Sequence, residues 1–154
     1  SYNYGARNPE RVRRAFRALL MACLAYSLLL WALVQLVPQL FALMFTSDSE
    51  LVAYASWALR IYMAATGIFG IQIACQQTFV ALGNAKISLF LAVLRKIILL
   101  IPLIYILPRF FADKSFAVFL AEPVADVLAV CTTATMFAVH FKKSMNALEE
   151  KPGL

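Results

Sequence analysis

The stretch FAVFLAEPVADVLAVCTTATMFAVHF, residues 116–141, decides the fold class of this chain. Its 26 residues carry only two formal charges, those of Glu122 and Asp126. A helix of this length rises about 39 Å, which exceeds the hydrocarbon core of a bilayer, about 30 Å. The stretch therefore predicts a transmembrane helix that contains two acids.

Three similar apolar runs precede it, so we expect an all-α membrane protein with four transmembrane helices. Of the 154 residues, 63% are hydrophobic, against about half in a soluble domain. The predicted spans are residues 18–45, 51–82, 87–107 and 116–141, which lie within region 18–143. A basic loop, 1–17, and a charged tail, 144–154, flank this region. We expect one of Ser47, Asp48 and Ser49 to cap the second span, and Gly83-Asn84 to end it.

The basic residues are distributed unevenly between the two sides of the predicted spans. One side holds two of them, Arg109 and Lys114, and the other holds nine: Arg7, Arg11, Arg13, Arg14, Arg17, Lys86, Lys142, Lys143 and Lys151. The positive-inside rule puts the nine, and with them both ends of the chain, in the cytoplasm. The net charge of +6 is then expected to face anionic lipid and not nucleic acid.

Asp126 is the charge that is hardest to place in water. Only 15 residues, 127–141, follow it within its run, fewer than the roughly 20 that a span needs. An acid inside the hydrocarbon layer costs roughly 2.5–3.5 kcal/mol. Glu122 shares its helix face, and Pro123 is expected to kink the helix and to free a backbone carbonyl. Together these groups predict a cation or proton site. Alternatively, the helix begins near Pro123 and Glu122 is its outer cap.

Arg95 and Lys96 lie within the third predicted span. Counting back from Leu107 places them on the order of 11 Å from the cytoplasmic edge. Neighbours on an α-helix point about 100° apart, so we expect one base to face the bundle and the other to snorkel; in the alternative, both snorkel. An ion pair with the acids of the fourth span is not expected, because bases and acids enter from opposite sides. Pro102 is expected to kink this span, for gating or for packing.

The second predicted span has a polar face formed by Gln72 and Gln76, which are spaced i, i+4. Two interpretations remain open: the two amides line a polar pathway, or they make hydrogen bonds between helices. The sequence contains no metal-ligand cluster, nucleophile with a base, phosphate loop or dinucleotide fingerprint. We therefore expect no enzyme, no cofactor and no metal site.

Three stretches, SYNYGARNPERV (1–12), LRIYMAATGIFGIQIACQQTFVALGNAKISLFLAVLRK (59–96) and FLAEPVADVLAV (119–130), resemble the C-terminal half of multidrug and toxic compound extrusion (MATE) transporters. The resemblance implies a twelve-helix transporter with two six-helix lobes. This chain would supply helices nine to twelve, a partial C-terminal lobe, and would need the N-terminal lobe as its partner. Because the chain begins with Ser1, we expect it to be a piece of a longer protein with a natural C-terminal end.

The resemblance also implies a function: efflux of drug-like organic cations across the plasma membrane, in exchange for Na⁺ or H⁺, by alternating access. Some members place a coupling acid in the tenth helix, but residues 51–82 contain no acid, so the coupling ion stays open. The alternatives are a lipid or oligosaccharide flippase of similar helix architecture, a stand-alone four-helix membrane protein, and a structural subunit without transport.

Overall fold

A computed structural model describes residues 2–5 and 8–149, and within these ranges the chain is helical with short turns and no strand. The eight α-helices there are α1 (Tyr2–Gly5), α2 (Pro9–Leu36), α3 (Pro38–Leu43), α4 (Ser49–Tyr62), α5 (Thr66–Ala81), α6 (Ala85–Val93), α7 (Ile101–Ile106) and α8 (Lys114–Glu149). A π-helical segment, Leu94–Leu100, joins α6 to α7, and a 3₁₀ turn, Leu107–Arg109, follows α7. Arg7 and Lys151, two of the nine bases used to predict the sidedness, lie outside the described residues, as do 150 and 152–154 of the tail.

In the described part of the chain, three continuous helical stretches are long and apolar enough to cross a membrane: Pro9–Leu36, Ala85–Arg109 and Lys114–Glu149. A fourth span is counted if α4 and α5 are taken together, although their axes differ by 50°. The fold class is therefore the predicted one, an all-α membrane protein. Its helix ends differ from the simple apolar runs in several places.

The first run, 18–45, is not one helix. Asn8 caps α2 by accepting a hydrogen bond from the Arg11 amide at 3.0 Å, so this helix already begins within the predicted basic loop. It ends at Leu36, and the chain turns at Val37 before Pro38 opens α3. A proline is well tolerated in the first turn of a helix but not in its interior, which explains why the break falls here.

The second run, 51–82, is also divided, at residues 63–65. Asp48 is the cap that begins it, and Gly83, with φ of +84°, ends it as predicted. Three side chains of α2 donate to backbone carbonyls around the break: Gln35 to Arg60 at 2.9 Å, Trp31 to Ala64 at 2.9 Å and Ser27 to Gly67 at 3.0 Å. A broken helix at membrane depth is tolerated when its freed carbonyls find such donors.

The third and fourth runs keep their helices despite two prolines. Pro102 lies in the first turn of α7, directly after the π-helical segment, so the helix is widened there and not broken. Asp113 caps α8 by accepting a hydrogen bond from the Phe116 amide at 3.0 Å, and the helix continues through Pro123 to Glu149.

Helix α5 lies at the centre of the fold, between α2 and α8. A Cβ added at Gly70 would stand 2.5 Å from the Cys23 carbonyl oxygen, so the contact with α2 needs a residue without a side chain. On the other side, Cys75, Phe79, Leu91 and Phe137 form a buried cluster that joins α5, α6 and α8. These two contacts fix α5 between α2 and α8.

Candidate functional site

Two bases and two acids meet between the π-helical segment and α8. Arg95 Nε donates to Asp126 Oδ1 at 2.5 Å, and Arg95 Nη2 donates to Glu122 Oε1 at 2.9 Å. Lys96 Nζ donates to the same Glu122 oxygen at 2.7 Å. We call these four residues the charge cluster. Its formal charges cancel, which makes its position inside a membrane-spanning fold energetically tolerable.

The members of the charge cluster differ in exposure. The side chains of Glu122 and Asp126 are 6% and 7% exposed and that of Arg95 is 18% exposed, whereas that of Lys96 is 49% exposed. The Arg95 guanidinium also lies over the Phe69 ring, 4.3 Å from its centroid. A cation over an aromatic face gains further stabilisation, more so when it is desolvated. Arg95 is therefore the base that holds the cluster together.

The prediction that these bases and acids do not pair is wrong. The helical stretch that contains the π-helical segment ends at Arg109, and the short turn 110–113 connects it to α8, so depth along both can be counted from this turn at about 1.5 Å per residue. Arg95 lies 14 residues before Arg109, about 21 Å, and Asp126 lies 12 residues after Lys114, about 18 Å. The two helices run through the membrane in opposite directions, and these counts place Arg95 and Asp126 at nearly the same depth.

The prediction that Arg95 and Lys96 point in separate directions is also wrong, because both contact Glu122. They lie within the π-helical segment, whose i→i+5 pattern places more residues in each turn than an α-helix does. Successive side chains are then less than 100° apart. Pro102 is the sequence signal for this widening, since it lacks an amide to donate to the preceding turn.

Glu122 is not the outer cap of the fourth span. Helix α8 begins eight residues earlier, at Lys114, and Glu122 lies buried in its interior. Its pairing with two bases explains how a carboxylate is accommodated there. Pro123 is likewise inside α8 and buried, next to the cluster.

The two glutamines of α5 have different surroundings. Gln76 Nε2 donates to the Ser88 carbonyl at 3.3 Å, a contact between α5 and α6. Gln72 is 1% exposed, and neither its amide oxygen nor its nitrogen has a hydrogen-bond partner among the described residues. Gln72 lies one turn from Phe69, on the same face of α5, and Phe69 touches Arg95. An unpaired buried amide is costly, so its position one turn from the residue that contacts Arg95 favours a polar role.

The arrangement can hold or exchange charge inside the membrane. Glu122 accepts from both bases through one oxygen, Oε1, and Lys96 reaches it from an exposed position. Among the described residues no three of His, Cys, Asp and Glu come together as metal ligands would. The chemistry of the site is thus that of ion pairs.

Comparison with known proteins agrees with this fold. The sequence profile of the MatE family matches residues 1–106. The MATE multidrug transporter DinF-BH, whose structure was solved as a complex, is 34% identical, with a TM-score of 0.79 over 89% of this chain and 30% of that one. No curated protein sequence matches the chain.

Two further solved structures, each 19% identical, share the fold. The Vibrio cholerae MATE transporter VcmN, in its bent form, has a TM-score of 0.76. The match covers 95% of this chain and 32% of VcmN. An inward-facing multidrug resistance MATE transporter of the MOP superfamily has a TM-score of 0.83, with 34% of it covered by 99% of this chain. The chain thus spans about a third of the length of these transporters. Because the profile matches more than half of its residues, this chain belongs to the MatE family.

Proposed function

We propose that the chain is part of a secondary active multidrug efflux transporter that exports organic cations and other xenobiotics in exchange for Na⁺ or H⁺ by alternating access. The observation that carries this proposal is the 34% identity to DinF-BH, a MATE multidrug transporter. The family membership supports a transport role and no catalysis.

In this proposal the chain works together with an N-terminal lobe of the same protein. It spans 30–34% of the solved relatives, which fits a partial C-terminal lobe of four helices. In this proposal the transporter lies in the plasma membrane. Both ends of the chain face the cytoplasm, the side to which the positive-inside rule assigns most of its bases. The bilayer and drug-like substrates are its other partners.

The charge cluster is proposed to lie on the substrate or ion pathway, with Gln72 and Gln76 beside it. Ionisable residues inside membrane spans are costly and commonly mark such pathways. Pro102 directly follows the π-helical segment, and Pro123 lies inside α8 between the two acids, so each helix lacks one backbone amide donor near the cluster. Each helix can then change shape near the charges without breaking the rest of its span.

The test is transport by the complete protein that contains this chain, purified and reconstituted into vesicles. Ethidium movement against its gradient is expected when either a Na⁺ or a pH gradient is imposed, and the gradient that drives it identifies the coupling ion. Vesicles with no gradient are the control. If a fluorescent lipid or an oligosaccharide carrier is moved and ethidium is not, the protein is instead a flippase.

A further inference from the structure

The two bases of the charge cluster are held very differently. Arg95 contacts both acids and the Phe69 ring and is largely buried. Among the described residues Lys96 makes one hydrogen bond, to Glu122 Oε1 at 2.7 Å, and about half of its side chain is exposed. A lysine ammonium is a point charge on a flexible stem, whereas the guanidinium of Arg95 is fixed by two acids and an aromatic ring. Lys96 is therefore the less firmly held base of the cluster.

The departure of Lys96 changes the charge that the cluster presents. With Lys96 in place the two acids are balanced by two bases. Without it, Arg95 alone faces Glu122 and Asp126, which leaves one net negative charge in a buried position. One monovalent cation restores neutrality, and burial makes an uncompensated charge costly enough to attract it.

From this asymmetry we propose that Lys96 is a tethered counter-ion, which a monovalent cation displaces when it binds at Glu122. The proposal rests on the transport function above and identifies the cation site used by it. The ligand is either a protonated or quaternary organic cation or Na⁺, since both supply one positive charge. The ammonium of Lys96 already occupies the position that the ligand takes.

The surroundings of Glu122 fit this exchange. The half-exposed stem of Lys96 marks the direction from which Glu122 can be reached, whereas Arg95 and Asp126 close the other side. Gln72, whose amide oxygen has no hydrogen-bond partner among the described residues, lies one turn along α5 from Phe69, on the same face. Amide oxygens are typical additional ligands of a cation that a carboxylate holds.

The reactivity of the Lys96 amine tests the proposal without any mutation. The complete protein, in detergent, is treated with an amine-acylating reagent, and the labelled peptides are quantified by mass spectrometry. Saturating Na⁺ or tetraphenylphosphonium, each against choline of equal ionic strength, is expected to increase labelling of Lys96 several-fold. Labelling of Lys86, which is exposed and outside the cluster, is expected to stay constant. If neither cation changes the labelling of Lys96 relative to Lys86, the proposal is wrong.

A binding measurement identifies which cation uses the site. The variant Lys96→Met lacks the competing ammonium, so it is expected to bind Na⁺, tetraphenylphosphonium or both about tenfold more tightly than the parent. If only Na⁺ binds more tightly, the site belongs to the coupling ion. If only tetraphenylphosphonium binds more tightly, the site belongs to the substrate. Lys96→Arg and Lys86→Met are the matched controls and are expected to keep the parental affinities.

The double variant Lys96→Met/Glu122→Gln keeps only the balanced Arg95–Asp126 pair. It is expected to lose the gain in cation affinity that Lys96→Met shows. An unchanged affinity in Lys96→Met, or a gain that survives Glu122→Gln, overturns the proposal. These readouts are independent of efflux. A protein that exchanges Lys96 for a cation but moves no drug would refute the transport function and not the site.

Discussion

Arg95 Nε lies 2.5 Å from Asp126 Oδ1, although the two residues are 31 positions apart and belong to separate helices. This pair ties the π-helical segment to α8 at a depth where both carry buried charge. Because Arg95 also contacts Glu122 at 2.9 Å, one guanidinium neutralises parts of two carboxylates. The planar fork of arginine suits such double contacts better than the point charge of lysine does.

Replacement of Arg95 by Met is expected to destabilise the protein strongly. The change leaves two buried acids with one half-exposed lysine, and loss of one partner of a buried pair typically costs about 3–5 kcal/mol. Unfolding of the purified complete protein by SDS measures the loss. Arg14→Met is the control, because Arg14 makes an exposed pair with Glu10 at 3.7 Å and its loss is expected to have no measurable effect.

The double variant Arg95→Met/Asp126→Asn checks the cause of that loss. It leaves the Lys96–Glu122 pair and no unbalanced charge, so it is expected to recover much of the lost stability. A double variant as unstable as Arg95→Met alone would show that packing by Arg95, and not its charge, is what matters.

The sequence is sufficient to predict the helical membrane fold, because hydropathy over about 20 residues reflects the bilayer itself. The break at 63–65 cannot be read from it. That break contains no proline, and it is stabilised by Gln35, Trp31 and Ser27, about 25 to 40 positions away. Donors supplied by another helix leave no local signal where they act.

All four residues of the charge cluster can be picked out from the sequence, but not their pairing. Asp126 is identified by its distance to the end of its run, which depends only on counting along one helix. The pairing depends on the relative depth of two helices, and a count from their cytoplasmic ends misses it. Counting from the shared turn at 110–113 gives the correct register. The approach of both bases to Glu122 additionally needs the π-helical segment, for which Pro102 is only an indirect signal.

Substitution of Gly70 by Ala is expected to weaken the contact between α2 and α5. The new Cβ would lie 2.5 Å from the Cys23 carbonyl and 2.6 Å from Ser27 Oγ, so the helices must separate, at a cost of about 1–3 kcal/mol. Gly67→Ala, with its nearest neighbours at 3.3 Å, is expected to cost less, and Gly5→Ala, with open space, almost nothing. Thermal unfolding in detergent should rank the three in this order. An equal effect at Gly70 and Gly5 would contradict the close packing.

Gln72 and Gln76 are expected to respond in opposite ways to replacement by Met, which has a similar size. Gln72→Met removes a buried amide without partners, so stability is expected to stay equal or to rise by about 1 kcal/mol, while drug efflux falls. Gln76→Met loses a hydrogen bond to Ser88 between helices, worth about 0.6 kcal/mol, and is expected to retain efflux. Thermal unfolding and ethidium efflux, measured on the same preparations, separate the two effects. A clear loss of stability in Gln72→Met would mean that its amide is satisfied in the membrane.

Asp126→Asn and Glu122→Gln are expected to lower ethidium efflux at least about tenfold in cells that express the complete protein. Each variant removes a buried negative charge and leaves the cluster with an excess of positive charge, which repels a cationic substrate. Glu149→Gln is the matched control, because Glu149 pairs with Arg13 at 2.7 Å in an exposed position near the end of α8. Protein levels in the membrane are measured in parallel. Parental efflux in both variants would show that the acids serve only to join the helices.

Pro102→Ala is expected to release Lys96 from Glu122. Restoring an amide at position 102 allows the carbonyl of Ile98 to be bonded in the i→i+4 pattern, so the π-helical segment can tighten into a regular helix. Arg95 and Lys96 would then point about 100° apart and could not both reach one carboxylate. Because Arg95 is held by Asp126 and Phe69, Lys96 is the base that separates. Acylation of Lys96 relative to Lys86 measures this release, and a several-fold increase without any added cation is expected. If the labelling stays at the parental value, the distortion does not depend on Pro102 but on the ion pairs themselves.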